Sequence, residues 1–221
     1  MCGGCGKAGW RWCPDCQRRV RRVVEPLCGK CGIPVRIAGL CEKCRANPPA
    51  YRALRSWAVF DSPVRSALHR MKYRRDLGLG DTLAAHLVDY VHSLNWPVEM
   101  LIPIPLGKVR LKERGYNQVA LVGRPLAHLL GLFYSPGVLR KTRETHTQVG
   151  LSVSERQENV HHAFKADPES VKRKIILVMD DVATTGSTLS SATDALLSAG
   201  AREVYAMTLA RALSHHSLDS V

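Results

Sequence analysis

The 221-residue sequence predicts an α/β protein, with a parallel sheet flanked by helices and a small cysteine-rich N-terminal domain. Apolar strand patterns alternate with helical patterns over most of the chain, as in βα units. One strand pattern leads into an acidic, hydroxyl-rich turn that opens a helix, where open α/β sheets bind ligands. All eight cysteines fall within the first 44 residues. Pro48 and Pro49 then mark a boundary, which gives domains of residues 1–47 and 48–221.

The N-terminal cysteines form four C-x-x-C pairs, which together are typical of a double zinc ribbon. The pairs are Cys2 and Cys5, Cys13 and Cys16, Cys28 and Cys31, and Cys41 and Cys44. One pair points two thiolates at a metal ion and two pairs complete a tetrahedral site, so two structural Zn²⁺ ions are expected. A disulfide framework or a set of redox pairs is the alternative, but the sequence shows no secretory signal. The spacing leaves open whether the pairs share a metal sequentially or in an interleaved order.

The net charge of +13 indicates an anionic partner, and its excess is concentrated near the N-terminus. Residues 1–52 carry a net charge of +8, against +5 for residues 53–221. Arg18, Arg19, Arg21 and Arg22 form a basic cluster between the two candidate ribbons. Two interpretations stay open for it: a contact with single-stranded DNA, or solubilising surface charge. Because no run of 18 apolar residues occurs, a cytoplasmic protein without membrane insertion is expected.

Beyond the boundary, the hydrophobic pattern predicts four strands and four helices. The predicted strands cover residues 53–60, 100–106, 175–179 and 203–209. The predicted helices cover residues 63–73, 81–94, 118–130 and 189–198. Asp81 is the expected N-cap of the second helix. Because the strands and helices alternate, we expect a parallel sheet with helices on both faces.

The most informative segment is residues 176–188, which reads ILVMDDVATTGST. An apolar strand is followed by Asp180 and Asp181, and then by a hydroxyl-rich loop made of Thr184, Thr185, Gly186, Ser187 and Thr188. Backbone N–H groups at the start of the next helix attract phosphate, and the glycine permits a close approach. The loop has no lysine and no Walker A pattern, which excludes a nucleoside triphosphate P-loop.

The acid pair narrows the ligand that this segment would bind. Two carboxylates beside a phosphate site repel the ligand unless they meet hydroxyl groups or a divalent cation. A sugar phosphate satisfies both halves, with its hydroxyls on Asp180 and Asp181 and its phosphate on the loop. The alternative is an ordinary strand-to-helix turn with an acidic pair in solvent.

The thirteen residues resemble the fingerprint of type I phosphoribosyltransferases, which includes Val182 and Ala183 between the acids and the loop. The resemblance implies a type I phosphoribosyltransferase-like sheet that binds phosphoribosyl pyrophosphate with Mg²⁺. Asp180 and Asp181 would then hold the ribose 2- and 3-hydroxyls, and the residues of the loop would hold the 5-phosphate. The turn at Leu106, Gly107 and Lys108 lies where such enzymes place their pyrophosphate loop.

Three further motifs make the sequence similar to the ComF family of competence-associated phosphoribosyltransferase-like proteins. They are KYRRD from Lys72, PIPLGKVRLKERGYNQ from Pro103, and LRKTRETHTQVGLSVSERQENVHHAF from Leu139. The resemblance covers essentially the whole chain and implies a role linked to DNA uptake, recombination or nucleotide metabolism. The resemblance makes Arg114 a second candidate for donating hydrogen bonds to pyrophosphate. The alternative is that Arg110, Lys112 and Arg114 belong to a solvated basic loop. Residues 139–150 resemble a loop that closes over the substrate.

Two functions follow from these observations. The first is a phosphoribosyltransferase acting on an unidentified nitrogen acceptor, with Asp180, Asp181, Arg114 and Lys108 as the expected catalytic residues. The second is a non-catalytic accessory protein that binds single-stranded DNA and uses the nucleotide-type site as a ligand sensor. Lys72 and Tyr73 are further candidates for the site, or surface residues at a helix end. The sequence identifies neither a general base nor the acceptor nor the oligomeric state.

Overall fold

The computed structural model describes residues 1–142 and 163–213, which form eight helices and seven strands. The helices are α1 (Pro14–Arg18), α2 (Glu42–Ala46), α3 (Val64–Tyr73), α4 (Leu79–Ser93), α5 (Lys108–Arg114), α6 (Gln118–Leu129), α7 (Pro168–Val171) and α8 (Ser187–Ser198). The strands are β1 (Leu54–Val59), β2 (Met100–Pro103), β3 (Phe133–Tyr134), β4 (Leu139–Lys141), β5 (Phe164–Ala166), β6 (Ile175–Ala183) and β7 (Glu203–Arg211).

The main sheet has the strand order β1-β7-β6-β2-β3, and each neighbouring pair in it is parallel. This confirms the predicted parallel sheet with flanking helices. Strand β6 lies at the centre, between β7 and β2, so its carboxyl end is surrounded by the ends of other strands. Strands β4 and β5 form a separate antiparallel pair.

Alternating residues of the central strands face two cores on opposite sides of the sheet. Ile175, Leu177 and Met179 of β6 pack in the first core, with α3, α4 and α6. Ile176 and Val178 pack in the second core, with α8 and the small β4–β5 sheet. Because both faces of the sheet are covered, residues 175–179 are all apolar, and this run predicts a strand from the sequence.

Strand β6 is longer than expected, and this changes the setting of the acid pair. The prediction ended the strand at Met179, whereas its pairing with β7 continues through Asp180↔Thr208 to Ala183↔Arg211. Asp180 and Asp181 therefore lie within the strand and not after it. The ladder of backbone hydrogen bonds to β7 outweighs the poor strand propensity of aspartate.

Two helix starts also differ from the prediction. Helix α4 begins at Leu79, so Asp81 lies inside its first turn, and the predicted N-cap role of Asp81 is wrong. Leu79 is fully buried and anchors this earlier start. Helix α8 begins at Ser187, because Gly186 takes a left-handed conformation with a φ of 83° and turns the chain directly into the helix.

The segment after β2 contains a helix that is not among the four predicted ones. Helix α5 starts after Gly107 and ends at Gly115, which is left-handed with a φ of 81°. None of the residues of α5 is buried. The helix was missed because it has no apolar face, and the hydrophobic pattern detects only helices that pack on a core.

The two halves of the cysteine-rich segment pack differently on the sheet. Cys2, Cys13 and Cys16 belong to the first core. The second half packs in a small cluster of its own around Cys28, Cys31 and Cys44. Its link to the sheet is polar, since the buried Arg211 at the end of β7 donates from Nη1 to the Cys31 carbonyl at 2.9 Å.

Candidate functional site

The acid pair lies near the carboxyl end of the central strand, and its two members have different surroundings. Asp181 is buried, with 7% of its surface exposed, whereas Asp180 is half-buried. Neighbouring residues of a strand point to opposite faces, so the two carboxylates cannot have the same neighbours.

Asp181 is held by side chains from two other elements. The Lys72 Nζ atom at the end of α3 lies 2.6 Å from the Asp181 Oδ2 atom. The Gln118 Nε2 atom at the start of α6 donates to the same oxygen at 2.8 Å. Two donors on one carboxylate oxygen, one of them cationic, stabilise the ionised form. Asp181 is therefore already engaged within the protein.

Asp180 has a raised proton affinity. Burial and, after it, the neighbouring Asp181 charge together raise the pKa of Asp180 to about 7, against the lowering effect of the backbone N–H of Asp181. That N–H group donates to the Asp180 Oδ1 atom at 2.8 Å. Asp180 thus holds a proton over part of the neutral range, and a cation or hydroxyl donors from a ligand would favour its release.

The hydroxyl-rich loop forms the start of α8. Thr184, Thr185, Ser187 and Thr188 are exposed, and the Thr185 and Ser187 hydroxyls are 2.7 Å apart. Gly186 is the N-cap residue and has no side chain to cap the twelve-residue helix. The Ser187 N–H group donates to the Thr185 hydroxyl at 3.3 Å. The positive end of the helix dipole lies at this turn and favours an anion.

One member of the acid pair, Asp180, meets the loop at a small cavity of about 30 Å³. Asp180 lines this cavity together with residues 182–189, which include the other residues of the fingerprint that the resemblance predicts to bind the donor: Val182, Ala183, Thr184, Thr185, Gly186, Ser187 and Thr188. The arrangement places one carboxylate beside an anion-binding turn. A ligand hydroxyl can bind to the carboxylate and a ligand anion to the turn.

The residues expected to contact pyrophosphate lie near the end of β2. Leu106 and Gly107 precede α5, and Lys108 is exposed at its first position. Arg114, at the other end of α5, donates to the Gln118 Oε1 atom and lies 5.6 Å over the Tyr73 ring. Arg114 therefore also orients Gln118, the amide that reaches Asp181.

Lys72, which the sequence left as either a site candidate or a surface residue at a helix end, contacts Asp181. Its helix α3 ends against the segment that opens α6, where the Tyr116 hydroxyl donates to the Met71 carbonyl. This contact brings the K-Y motif and the R-G-Y-N-Q motif together beside Asp181. The signal in the sequence was the family motif alone, because helix periodicity treats a final Lys-Tyr as surface.

The eight cysteines form two groups in sequential order. Cys2, Cys5, Cys13 and Cys16 make one group, and Cys28, Cys31, Cys41 and Cys44 make the other. Within each group all sulfur atoms lie within 4.8 Å of one another. The question of pairing is thereby answered in favour of the sequential arrangement and against the interleaved one.

The spacing of the sulfur atoms matches a tetrahedral metal site. The Cys2–Cys16, Cys5–Cys13 and Cys31–Cys41 Sγ pairs are 3.6, 3.7 and 3.7 Å apart. Four sulfurs at about 2.3 Å from Zn²⁺ would be separated by roughly 3.8 Å. All eight thiols are free, since a disulfide requires about 2.05 Å. Both groups can hold a zinc ion.

Backbone donors stabilise a thiolate in each group. Burial alone would raise the pKa of Cys2, but N–H groups of Cys5, Cys13 and Gly4 outweigh it and bring this pKa to about 6. The Cys28 thiol has the same balance, and its pKa also falls to about 6. The thiolate is the form that binds metal, so these donors favour metal binding.

The basic cluster beside the ribbons is largely occupied by contacts inside the protein. Arg22 donates to the Trp57 carbonyl at 3.2 Å and lies 4.7 Å over the Trp57 ring. Arg21 pairs with Asp61 at 3.0 Å, and Arg18 pairs with Asp15. At least Arg22 therefore has a structural role in docking the N-terminal segment on the sheet.

Part of the predicted closing loop lies outside the described residues. Leu139–Lys141 form β4, which pairs with β5, while residues 143–162 are not described. Among the described residues, no helix is long and apolar enough to cross a membrane.

Comparisons with known proteins agree with this fold. Residues 126–220 match the family model described as phosphoribosyl transferase domain. Over 210 residues the chain is 33% identical to DNA utilization protein YhgH of Salmonella typhi, covering 92% of each chain. It is 32% identical to competence protein F of Haemophilus influenzae over 210 residues, covering 90% of each. It is 27% identical to competence protein ComFC of Bacillus subtilis over 214 residues, covering 90% of this chain and 83% of that protein.

The parallel sheet, the acid pair and the hydroxyl-rich turn define a protein with a phosphoribosyltransferase-type domain. Together with the extent of its similarity to the competence and DNA utilization proteins, this shows that the chain belongs to the ComF family.

Proposed function

We propose that the chain binds phosphoribosyl pyrophosphate together with Mg²⁺ and transfers the phosphoribosyl group to a nitrogen acceptor. The observation that carries this proposal is the small cavity that Asp180 shares with the start of α8. The Asp180 carboxylate, which would bind the ribose hydroxyls, lies beside the turn that would bind the 5-phosphate. The family model supports the same substrate class.

In the proposed reaction, a nitrogen lone pair of the acceptor attacks the anomeric carbon while the bond to pyrophosphate breaks. Pyrophosphate leaves with the bonding electron pair, and the acceptor nitrogen loses a proton. The N–H groups of α8 hold the 5-phosphate and so fix the sugar, and Asp180 orients the hydroxyl groups beside the reacting carbon. Bound Mg²⁺ would neutralise charge on the pyrophosphate oxygens.

The experiment that tests this proposal is calorimetric titration of the protein with phosphoribosyl pyrophosphate and Mg²⁺. We expect the wild-type protein to bind, and Asp180→Asn to bind at least about tenfold more weakly, because it loses a charged hydroxyl acceptor. Asp181→Asn also loses the partner of Lys72, so a thermal melt of each variant must show that the fold is intact. Lack of binding by the wild-type protein would refute the proposal.

We further propose that this activity serves a ComF-type role linked to DNA uptake, recombination or nucleotide metabolism. The support is the similarity to relatives named for DNA utilization and for competence. Two structural zinc ions in the cysteine groups are part of the same proposal, supported by the sulfur spacing described above.

Single-stranded DNA is the proposed macromolecular partner, and the exposed side of the basic cluster offers a test. Arg18 and Arg19 are exposed, whereas Arg22 docks the N-terminal segment on the sheet. We expect Arg18→Gln/Arg19→Gln to weaken DNA binding and to reduce its salt dependence in a gel shift assay without unfolding the protein. Unchanged affinity would remove the cluster from the proposed interface.

A further inference from the structure

A cavity of about 620 Å³ lies between the second cysteine group and the start of α8. Thr184, Thr185, Gly186 and Ser187 line one side of it, and the same four residues line the small cavity of the proposed phosphate site. A ligand that is held on this turn by a phosphate can therefore extend into the larger cavity. A volume of this size is typical of sites for small organic molecules.

The opposite wall of the cavity comes from the second cysteine group and from the proline-containing linker that follows it. Three of the four cysteines of that group line the cavity, and so do residues 47–51 of the linker. Tyr51 is fully buried, and its hydroxyl reaches the turn, since a Cβ atom on Gly186 would lie 3.2 Å from it. The two prolines, an alanine and this aromatic ring give the linker wall a largely apolar surface, which suits a flat ring system.

The charged side chains that line the cavity balance one another. Lys43 and Arg211 are cationic, whereas Glu42 and Asp194 are acidic, so these four residues carry a formal net charge of zero. A polyanion would find no excess of positive charge here. The cavity therefore favours an uncharged occupant with a few polar groups.

Arg211, at the end of β7, is the buried polar group of this cavity, with 3% of its surface exposed. Its Nη1 atom donates to the Cys31 carbonyl at 2.9 Å. Within residues 1–142 and 163–213, nothing accepts a hydrogen bond from its Nε atom. A buried donor without a partner costs free energy, and an oxygen atom of a ligand can supply the missing acceptor.

We propose that this cavity binds the acceptor of the transfer reaction, and that the acceptor is an uncharged heterocycle of purine size with a carbonyl group that accepts from Arg211. The inference rests on the proposed function, which leaves the acceptor unidentified. It gives the second cysteine group a part in recognition, because that group walls the cavity and its backbone holds Arg211. No cysteine of the first group lines this cavity.

Calorimetric titration with inosine 5′-monophosphate, adenosine 5′-monophosphate and ribose 5-phosphate tests this assignment. The two nucleotides share a purine ring, a ribose and a phosphate, but only inosine monophosphate has a carbonyl group on the ring. We expect inosine monophosphate to bind at least about tenfold more tightly than each of the other two, because the guanidinium of Arg211 donates a charge-assisted hydrogen bond to that carbonyl.

Arg55 provides a matched control for Arg211. Both arginines donate to a carbonyl of the second cysteine group, Arg55 through its Nη1 atom to Cys28 at 3.4 Å, but Arg55 does not line the cavity. Arg211→Met should remove the preference for inosine monophosphate and leave ribose 5-phosphate affinity within about twofold, since only the ring contact is lost. Arg55→Met should keep the preference.

A second variant fills the cavity without touching Arg211. Ser190 lines the cavity from the first turn of α8 and is half-buried. Ser190→Phe should weaken binding of inosine monophosphate at least about tenfold by occupying the space of the ring, and it should leave ribose 5-phosphate affinity within about twofold. A thermal melt of each variant shows whether its fold is intact.

Equal affinity of the wild-type protein for inosine monophosphate and ribose 5-phosphate would overturn the inference. Equal losses of inosine monophosphate binding in Arg211→Met and Arg55→Met would do the same. Inosine, which lacks the phosphate, distinguishes this inference from the proposed function. Binding of inosine without binding of ribose 5-phosphate would refute the phosphate site and support the assignment of the cavity.

Discussion

At the scale of single residues, the two adjacent acids of the motif have separate roles. Asp181 is tied to Lys72 and Gln118, so its charge is satisfied inside the protein. Asp180 receives one backbone N–H bond, and burial beside a second negative charge raises its pKa to about 7. A sequence motif records that both residues are acidic, but their neighbours decide which of them is available to a ligand.

Asp180 should make the protein less stable as the pH rises. A carboxyl group whose pKa is higher in the folded state binds more protons folded than unfolded between the two pKa values. Its stabilising contribution is therefore present at acid pH and is lost as the pH rises from about 4 through about 7. We expect Asp180→Asn to raise the free energy of unfolding at pH 8 by a few kcal/mol at most, and to raise it by about a third as much at pH 5.

Urea unfolding without Mg²⁺ or ligand, followed at both pH values, measures this effect. Asp167→Asn is a suitable control, since Asp167 is an exposed acid remote from the pair in sequence. An equal change in stability at pH 5 and pH 8 would show that the pKa of Asp180 is not raised.

At the scale of elements, helix α8 starts directly after a left-handed glycine at the proposed phosphate site. Gly186 has a φ of 83°, and a Cβ atom there would lie 3.2 Å from the Tyr51 hydroxyl. Gly200 follows the other end of the same helix with a φ of 97°, and a Cβ atom there would meet nothing closer than 3.9 Å. Both glycines relieve backbone strain, but only Gly186 lies at the cavity of the proposed phosphate site.

Replacing each glycine by alanine should separate strain from binding. We expect Gly186→Ala and Gly200→Ala each to cost about 1–2 kcal/mol of stability, because a Cβ atom is unfavourable in the left-handed region. Only Gly186→Ala should weaken ribose 5-phosphate binding, since it moves the N–H groups that face the phosphate. The measurements are thermal unfolding and calorimetric titration. Comparable binding losses in both variants would indicate a general effect on the helix instead.

At the scale of the whole molecule, the two cysteine groups differ in their coupling to the sheet. Cys16 shares the buried cluster of α3 and α4, together with Trp12. Cys44 belongs to the small separate cluster of the second group. Metal binding contributes to the free energy of folding. Loss of the metal therefore destabilises the hydrophobic core to which its ligands belong.

Removing one ligand from each group should therefore have unequal effects. We expect Cys16→Ser and Cys44→Ser each to reduce the zinc content from two ions to one per chain. Cys16→Ser should lower the main unfolding temperature more, because its group is part of the large core. Elemental analysis and differential scanning calorimetry measure the two quantities. Absence of zinc in the wild-type protein, or equal thermal shifts, would contradict this prediction.

The sequence by itself determined the parallel α/β class, the four C-x-x-C pairs and the segment that carries the acid pair. Each depends on local features: apolar runs such as residues 175–179, C-x-x-C spacing, and a glycine that a tight turn requires. Each of these patterns lies within a few consecutive residues, so it can be recognised without knowledge of the fold. The exposed helix α5 was not predictable in this way, because it packs no apolar face on a core.

Only the tertiary structure decided which neighbours each of the two acids has. Lys72 and Asp181 are 109 positions apart in the sequence, and their contact exists because α3 ends at the carboxyl edge of the sheet. The continuation of β6 past its apolar run depends on hydrogen bonds to β7, and the sequential grouping of cysteines depends on the path of the chain between the turns. Local propensity cannot encode these contacts, since the free energy that decides them comes from pairing between distant segments.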